Sequence, residues 1–93
     1  MKYEVIHNTV KNRFEVELDG CMAYAEYIPT GNALNIIHTI VPPPIEGRGV
    51  ASALISHAFE HAHGNCSKII PTCSYVQAWI KRHPEYGGDV FGG

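Results

Sequence analysis

The chain has 93 residues, of which 45% are apolar and 17% charged, and its formal net charge at pH 7 is -2. This length fits a single domain over residues 1–93, and the composition is that of a folded chain rather than a disordered one. Seven basic residues stand against nine acidic ones, scattered along the chain, so no nucleic-acid-binding face is expected.

Neither a membrane nor an oxidising compartment is indicated. No apolar run is long enough to span a bilayer, and the first residues lack the pattern of a signal peptide. The three cysteines, Cys21, Cys66 and Cys73, are an odd number and form no C-x-x-C pair. We therefore expect reduced thiols, a cytoplasmic protein and no structural zinc.

The first half of the chain predicts four strands, because apolar and polar residues alternate with period two. The runs are residues 3–8, 14–18, 21–28 and 33–41. Asp19-Gly20 signals a tight hairpin turn, and residues 29–32 break the chain before the fourth run. That run is more evenly apolar and is predicted to be central. The four runs indicate an antiparallel meander.

The second half predicts a helix, a short strand and a second helix. Apolar residues fall on one side of a helix over residues 49–63, and Gly64-Asn65 closes it. A strand is predicted over 68–70. The second helix is predicted to open with a capping box in which Ser74 is the N-cap and Gln77 the N3 residue, and His83-Pro84 stops it.

These elements predict a mixed α+β fold. The antiparallel four-strand meander is followed by a β-α-β unit with a parallel fifth strand, and then by a C-terminal helix. The β-α-β unit requires a right-handed crossover.

The segment from Glu46 to Ala51 joins a strand ended by Pro42-Pro43-Pro44 to the amphipathic helix. Gly47 and Gly49 allow a tight turn with uncovered amides, and the first helical turn adds unpaired N–H groups and the positive end of its dipole. Arg48 adds a charged group, so the segment suits a pyrophosphate. The pattern is equally that of a plain strand-to-helix turn, because short glycine motifs are weakly specific.

Several blocks together resemble the GNAT N-acetyltransferase superfamily, and more narrowly its short, single-domain, YjdJ-like branch. They cover about residues 36–86 and read His38-Thr39-Ile40-Val41-Pro42-Pro43, Glu46-Gly47-Arg48-Gly49-Val50-Ala51-Ser52-Ala53-Leu54, Pro71-Thr72-Cys73-Ser74-Tyr75-Val76 and His83-Pro84-Glu85-Tyr86. The resemblance implies a GNAT-like fold and acetyl-CoA (coenzyme A) as cofactor. It implies main-chain contacts from Ile40 and Val41 to the pantetheine arm. It also implies a pyrophosphate cradle made by Gly47, Arg48, Gly49, Val50 and Ala51, with Ser52 completing the set.

The chain departs from the family pattern at two points. Glu46 stands where the superfamily usually has Gln or Arg, and Ile40 stands where many branch members have Glu. The role of a carboxylate base at position 40 is therefore vacant. The N-terminal helices that shape the acceptor site in larger relatives are also missing, so the acceptor is expected to be a small-molecule or peptide amine without further definition.

Three side chains are the catalytic candidates. Cys73 precedes the second helix, whose N-terminus favours a thiolate, so it could take the acetyl group transiently. His38 on the fourth strand could accept a proton. Tyr86 or Tyr75 could protonate the leaving thiolate, as tyrosine often does in the superfamily. Each residue could equally be a packing or hydrogen-bonded structural residue.

His57-Ala58-Phe59-Glu60-His61 matches the H-x-x-E-H signature of zinc proteases. That chemistry needs a third protein ligand from a larger scaffold, so we expect no metal site.

Three functions remain open on the sequence. The first is transfer of acetyl from acetyl-CoA to an amine, directly or through Cys73. The alternative is a non-catalytic acyl-CoA-binding or sensing module. The third is a plain interaction domain in which the glycine turn has no binding role. A homodimer that covers a sheet edge is left open as well.

Overall fold

The computed structural model describes residues 3–91, which form a five-stranded sheet, two α-helices and two short 3-10 helices. The strands are β1 (Ile6–Asn8), β2 (Arg13–Leu18), β3 (Cys21–Thr30), β4 (Ala33–Ile40) and β5 (Lys68–Pro71). The helices are α1 (Val50–Gly64) and α2 (Ser74–Arg82), with 3-10 turns at Pro43–Ile45 and Pro84–Asp89. Neither α-helix of the described range is long and apolar enough to cross a bilayer.

The sheet confirms the predicted topology. Its order is β1-β2-β3-β4-β5, the first four strands pair antiparallel, and β5 pairs parallel to β4. The Asp19-Gly20 hairpin is also confirmed, since both residues have positive φ angles of 52° and 77°, as a tight hairpin turn requires. Two strand boundaries differ from the prediction by more than one residue: β1 begins only at Ile6, and β3 continues to Thr30 because Pro29 still pairs with Leu34.

Helix α1 supplies one side of the core. Its buried residues repeat with the spacing that the sequence predicted and face the sheet; they are Val50, Leu54, Ile55, Ala58, Phe59 and Ala62. Trp79 of α2 is stacked between Phe59, with ring centroids 5.3 Å apart, and His83, at 4.0 Å. The Trp79 indole N–H donates to the Ser52 hydroxyl at 3.0 Å. This contact fixes α2 against the first turn of α1.

The predicted capping box at Ser74 is wrong. Helix α2 begins at Ser74, its N-cap is Cys73, and no side chain caps it. The Cys73 carbonyl accepts the first helical bond, from the Gln77 N–H at 3.2 Å. The Gln77 side-chain amide reaches back to the Pro71 carbonyl at 2.9 Å, so it ties the helix to β5 instead of to Ser74.

The end of β4 separates from β5. The β3–β4 register shifts at one point, because Glu26 faces His38 whereas Tyr27 faces Ile36, which leaves Ile37 as a bulge. Strand β5 pairs with β4 only from Ala33 to Ile36. The Cys73 N–H donates to the Ile36 carbonyl at 2.9 Å, and the chain then turns into α2. Among the residues described, the last four of β4 therefore have no partner on the β5 side.

Three histidines gather between the first strands and α1. The His7 ring stacks on Phe14 at 4.3 Å and meets His61 edge-on at 4.5 Å, and its Nε2 lies 2.6 Å from the Tyr27 hydroxyl. His57 also approaches Phe14, at 5.7 Å. Burial lowers the pKa of His7 below its ordinary value of 6.5, and His61 and His57 lower it further.

This cluster predicts a loss of stability in mild acid. Because the pKa of His7 is lower in the folded chain than in the unfolded chain, the unfolded chain takes up the proton first as the pH falls. The stabilisation is full above the ordinary pKa of 6.5 and is lost as the pH falls from there toward the lowered value. We expect the melting temperature of wild type to fall between about pH 7.5 and about pH 5, and to fall less in His7→Gln. Parallel curves for the two proteins in circular dichroism melts would contradict this.

Candidate functional site

A cavity of about 630 Å³ lies where β4 and β5 have separated. Its volume is within the usual range for small-molecule sites. The end of β4, the loop after it, the first turn of α1 and one side chain of α2 form its walls. The lining residues are Thr39, Ile40, Val41, Ile45, Glu46, Gly47, Gly49, Val50, Ala51, Ser52 and Tyr75.

The loop before α1 has the backbone of an anion site. Gly47 and Gly49 have φ angles of 75° and 79°, which L side chains rarely adopt. A Cβ atom at either position meets no protein atom within 4 Å, so conformation rather than crowding requires glycine. Within the described range, the backbone N–H groups of residues 47–52 donate to no protein acceptor. A row of free donors at the positive end of a 15-residue helix suits a phosphate.

The charge for binding an anion comes from the backbone. None of the residues that line the cavity is Lys, Arg or His, and Glu46 is acidic. The Arg48 guanidinium, predicted to face the phosphates, instead binds the Asp19 carboxylate at 2.6 Å and does not line the cavity. Arg48 therefore offers the site its backbone N–H rather than its side chain. The donor set still fits a pyrophosphate, because unpaired amides at a helix N-terminus bind phosphate oxygens without a cationic side chain.

Tyr75 is the aromatic side chain of α2 that lines the cavity. Burial raises the pKa of its phenol above the ordinary value of 10.0, against the opposing effects of Arg82 and of a hydrogen bond with Ser52. The group thus keeps its proton throughout the neutral range. Ser52 also accepts the Trp79 indole N–H at 3.0 Å, so the first turn of α1 is held where it meets α2.

Cys73 lies beside the cavity rather than in its lining. It is half-buried at the N-cap of α2, and its thiol donates to the Thr39 hydroxyl at 3.5 Å. Thr39 does line the cavity. One side chain therefore separates the thiol from the site.

Of the other residues predicted for the site, seven line the cavity and two, His38 and Tyr86, do not. Ile40 and Val41 line the cavity together with Gly47, Gly49, Val50, Ala51 and Ser52. His38 is exposed on β4, two residues before Ile40 and on the same sheet face, but it is not a lining residue. Tyr86 lies elsewhere: its ring packs on Phe59 and Trp79 and borders a separate cleft with Glu60 and His63.

Sequence reasoning omitted two lining residues, Thr39 and Ile45. Thr39 lies on the helix side of β4, where the Cys73 thiol contacts it, because the bulge at Ile37 shifts the alternation of the strand, and no sequence pattern predicted that bulge. Ile45 is fully buried in the 3-10 turn after the three prolines, where no periodic pattern could reveal it.

The His57 and His61 side chains pack around Phe14 on the sheet side of α1. Within residues 3–91, no three His, Cys, Asp or Glu side chains are grouped to hold a metal ion.

In this mixed α+β fold, a parallel strand separates from its neighbour beside a glycine turn and a helix N-terminus whose amides have no acceptor among the described residues, an arrangement that suits an anionic ligand. The family model of the GCN5-related N-acetyl-transferases matches residues 13–90, and the chain belongs to this family. The GNAT membership that the sequence indicated is thereby confirmed.

Relatives of known sequence and structure agree with this assignment. Protein NATD1 of Xenopus tropicalis is 32% identical over 84 residues, which are 86% of this chain and 76% of that protein. Protein NATD1 of Homo sapiens is also 32% identical, over 86% of this chain and 74% of its own length. The solution structure of a GCN5-like protein from Staphylococcus aureus, 28% identical, superposes with a TM-score of 0.75 over 99% of this chain and 91% of that one.

The positive φ angle predicts the effect of a side chain at Gly49. Gly49→Ala should lower the free energy of unfolding by about 1–2 kcal/mol, because the left-handed backbone strains any L side chain. Gly64→Ala is the matched control, since Gly64 has no positive φ, lies in the last turn of α1 and has no atom near a new Cβ. It should gain up to about 1 kcal/mol. Urea unfolding measures both, and equal stability of Gly49→Ala and wild type would contradict the described loop.

Proposed function

We propose that the protein is an N-acetyltransferase that moves the acetyl group of acetyl-CoA to the amine of a small molecule or peptide. The observation that carries the proposal is the row of N–H groups from residue 47 to residue 52, which have no protein acceptor among residues 3–91 and lie beside the end of β4. A site without a cationic lining residue still suits a pyrophosphate through these amides and the α1 dipole. Acetyl-CoA is the donor used across the family.

The end of β4 supports binding of the pantetheine arm. Beyond Ile36 the main chain of β4 has lost its β5 neighbour, so its polar groups on that side are free to bind an extended, amide-containing chain. Ile40 and Val41 line the cavity there and offer apolar contact as well.

Tyr75 is the residue we assign as general acid. When an amine attacks the thioester carbon, the C–S bond breaks and the departing thiolate needs a proton. The phenol lines the cavity and stays protonated at neutral pH, because burial raises its pKa. Tyr86 packs against Phe59 and Trp79 and is not assigned a role.

His38 is the residue we assign as base for the incoming amine. Its exposed side chain shares a sheet face with Ile40, which lines the cavity, and the family carboxylate is absent at that position. A neutral imidazole can accept the proton that the amine releases on attack.

Acetyl transfer in two steps, through a thioester on Cys73, is an alternative route for the same reaction. The Cys73 sulfur would attack the acetyl carbon and release the CoA thiol, and the amine would then displace the sulfur. The 3.5 Å contact with Thr39 supports proximity to the site, although the thiol does not line it.

Mass spectrometry after incubation with acetyl-CoA tests the function. Wild type, acetyl-CoA and either a primary alkylamine or a lysine-containing peptide should give free CoA and the acetylated amine. Acetyl found on the protein and absent in Cys73→Ala would support the two-step route, whereas full turnover by Cys73→Ala would exclude it. Binding of acetyl-CoA without hydrolysis or transfer of its thioester would indicate the non-catalytic binding module instead. If calorimetry showed no binding of CoA, both functions would be contradicted.

Tyr75→Phe tests the general acid. We expect kcat to fall by about 10²-fold with little change in KM, since the ring remains and only the proton donor is lost. In wild type the corresponding fall in rate should occur only above the ordinary tyrosine pKa of 10.0, because burial raises that pKa. An unchanged kcat in steady-state assays would remove Tyr75 from the chemistry.

A further inference from the structure

Arg48 makes two contacts, and both partners lie in the N-terminal part of the chain. Its guanidinium binds the Asp19 carboxylate in the β2–β3 turn at 2.6 Å. Its backbone carbonyl accepts a hydrogen bond from the Tyr3 hydroxyl. Neither Tyr3 nor Asp19 lines the cavity, and the side chain of Arg48 does not line it either.

The second contact bears directly on the phosphate loop. The Arg48 carbonyl and the Gly49 N–H belong to one planar trans peptide unit, in which the two groups point in opposite directions. A hydroxyl that fixes the carbonyl on one side of the loop therefore fixes the N–H on the other. Gly49 lines the cavity, and within residues 3–91 its N–H has no protein acceptor.

We propose that Tyr3 is a positioning residue for the phosphate site: by holding the Arg48 carbonyl, it turns the Gly49 N–H toward the cavity. This inference rests on the proposed binding of CoA. A glycine-flanked loop has many accessible conformations, since Gly47 and Gly49 each populate both signs of φ, so an external anchor is needed to fix the amides before the ligand arrives. Tyr3 thus orients the Gly49 N–H before the ligand binds and does not contact the ligand itself.

Tyr3 is itself firmly placed. Its ring is half-buried and packs against the main core, as does Val5. A few residues later β1 pairs with β2, and His7 stacks on Phe14. The hydroxyl is thus attached to a rigid part of the fold. The Asp19–Arg48 pair is largely exposed, with 40% of the Arg48 and 64% of the Asp19 side chain accessible, so it contributes less.

The test compares a ligand that has the pyrophosphate with one that lacks it. Calorimetry of Tyr3→Phe should show CoA binding weakened about three- to tenfold, the effect of one hydrogen bond, whereas pantetheine binding stays unchanged. Tyr86→Phe is the matched control: it removes the phenol hydroxyl of a residue that borders the separate cleft with Glu60 and His63, and should bind both ligands as wild type does.

A second measurement does not depend on any ligand. In amide NMR spectra of the free protein, the Gly49 resonance should shift, and its hydrogen exchange should quicken, in Tyr3→Phe but not in Tyr86→Phe. Unchanged CoA affinity in Tyr3→Phe, or an equal loss for CoA and pantetheine, would overturn the positioning role, as would an unchanged Gly49 signal. Failure of wild type to bind CoA would instead overturn the proposed function, and the Gly49 signal would still report whether Tyr3 orients the loop.

Discussion

The site depends on the limited length over which β5 pairs with β4. Four residues of β4 have strand neighbours on both sides, and after Ile36 its one strand neighbour in the described part of the chain is β3. The bulge at Ile37 disrupts the strand there, and the Cys73 N–H donates to the Ile36 carbonyl just after β5 ends. This separation leaves unpaired main chain in the middle of a folded domain, which is costly unless water or a ligand satisfies it. The cavity, both helix N-termini and the open edge of β4 all meet at this point.

The proposed anion site relies on backbone N–H groups, because none of the residues that line the cavity is cationic. The Arg48 guanidinium is engaged by Asp19, and the lining contributes a carboxylate at Glu46. Amides at a helix N-terminus carry partial charge in fixed directions and need no side-chain ordering. Their directions must therefore be fixed by the surrounding structure. The Trp79–Ser52 bond holds the helix side of the loop, and Tyr3 holds the strand side.

Most of the fold was predictable because it follows from local patterns. Alternation identified the meander, the 3.6-residue period identified the buried face of α1, and Asp19-Gly20 identified the hairpin. The prediction that failed, the capping box at Ser74, was also local, but it competed with tertiary contacts. The Gln77 amide found a better-placed acceptor in the Pro71 carbonyl, which only the path of β5 brings near.

By itself the sequence determined the order of elements, the glycine turn before α1 and the family, since each depends on residues close together in the chain or on blocks in a fixed order. Only the tertiary structure decided which side chains meet at the site. In the folded chain Arg48 pairs with Asp19, and Tyr86 borders a cleft apart from the cavity. Tyr75 lines the cavity, and Cys73 contacts the lining residue Thr39. Such outcomes depend on contacts between residues far apart in the chain, 29 positions for Arg48 with Asp19 and 34 for Cys73 with Thr39, and no periodicity or spacing encodes them.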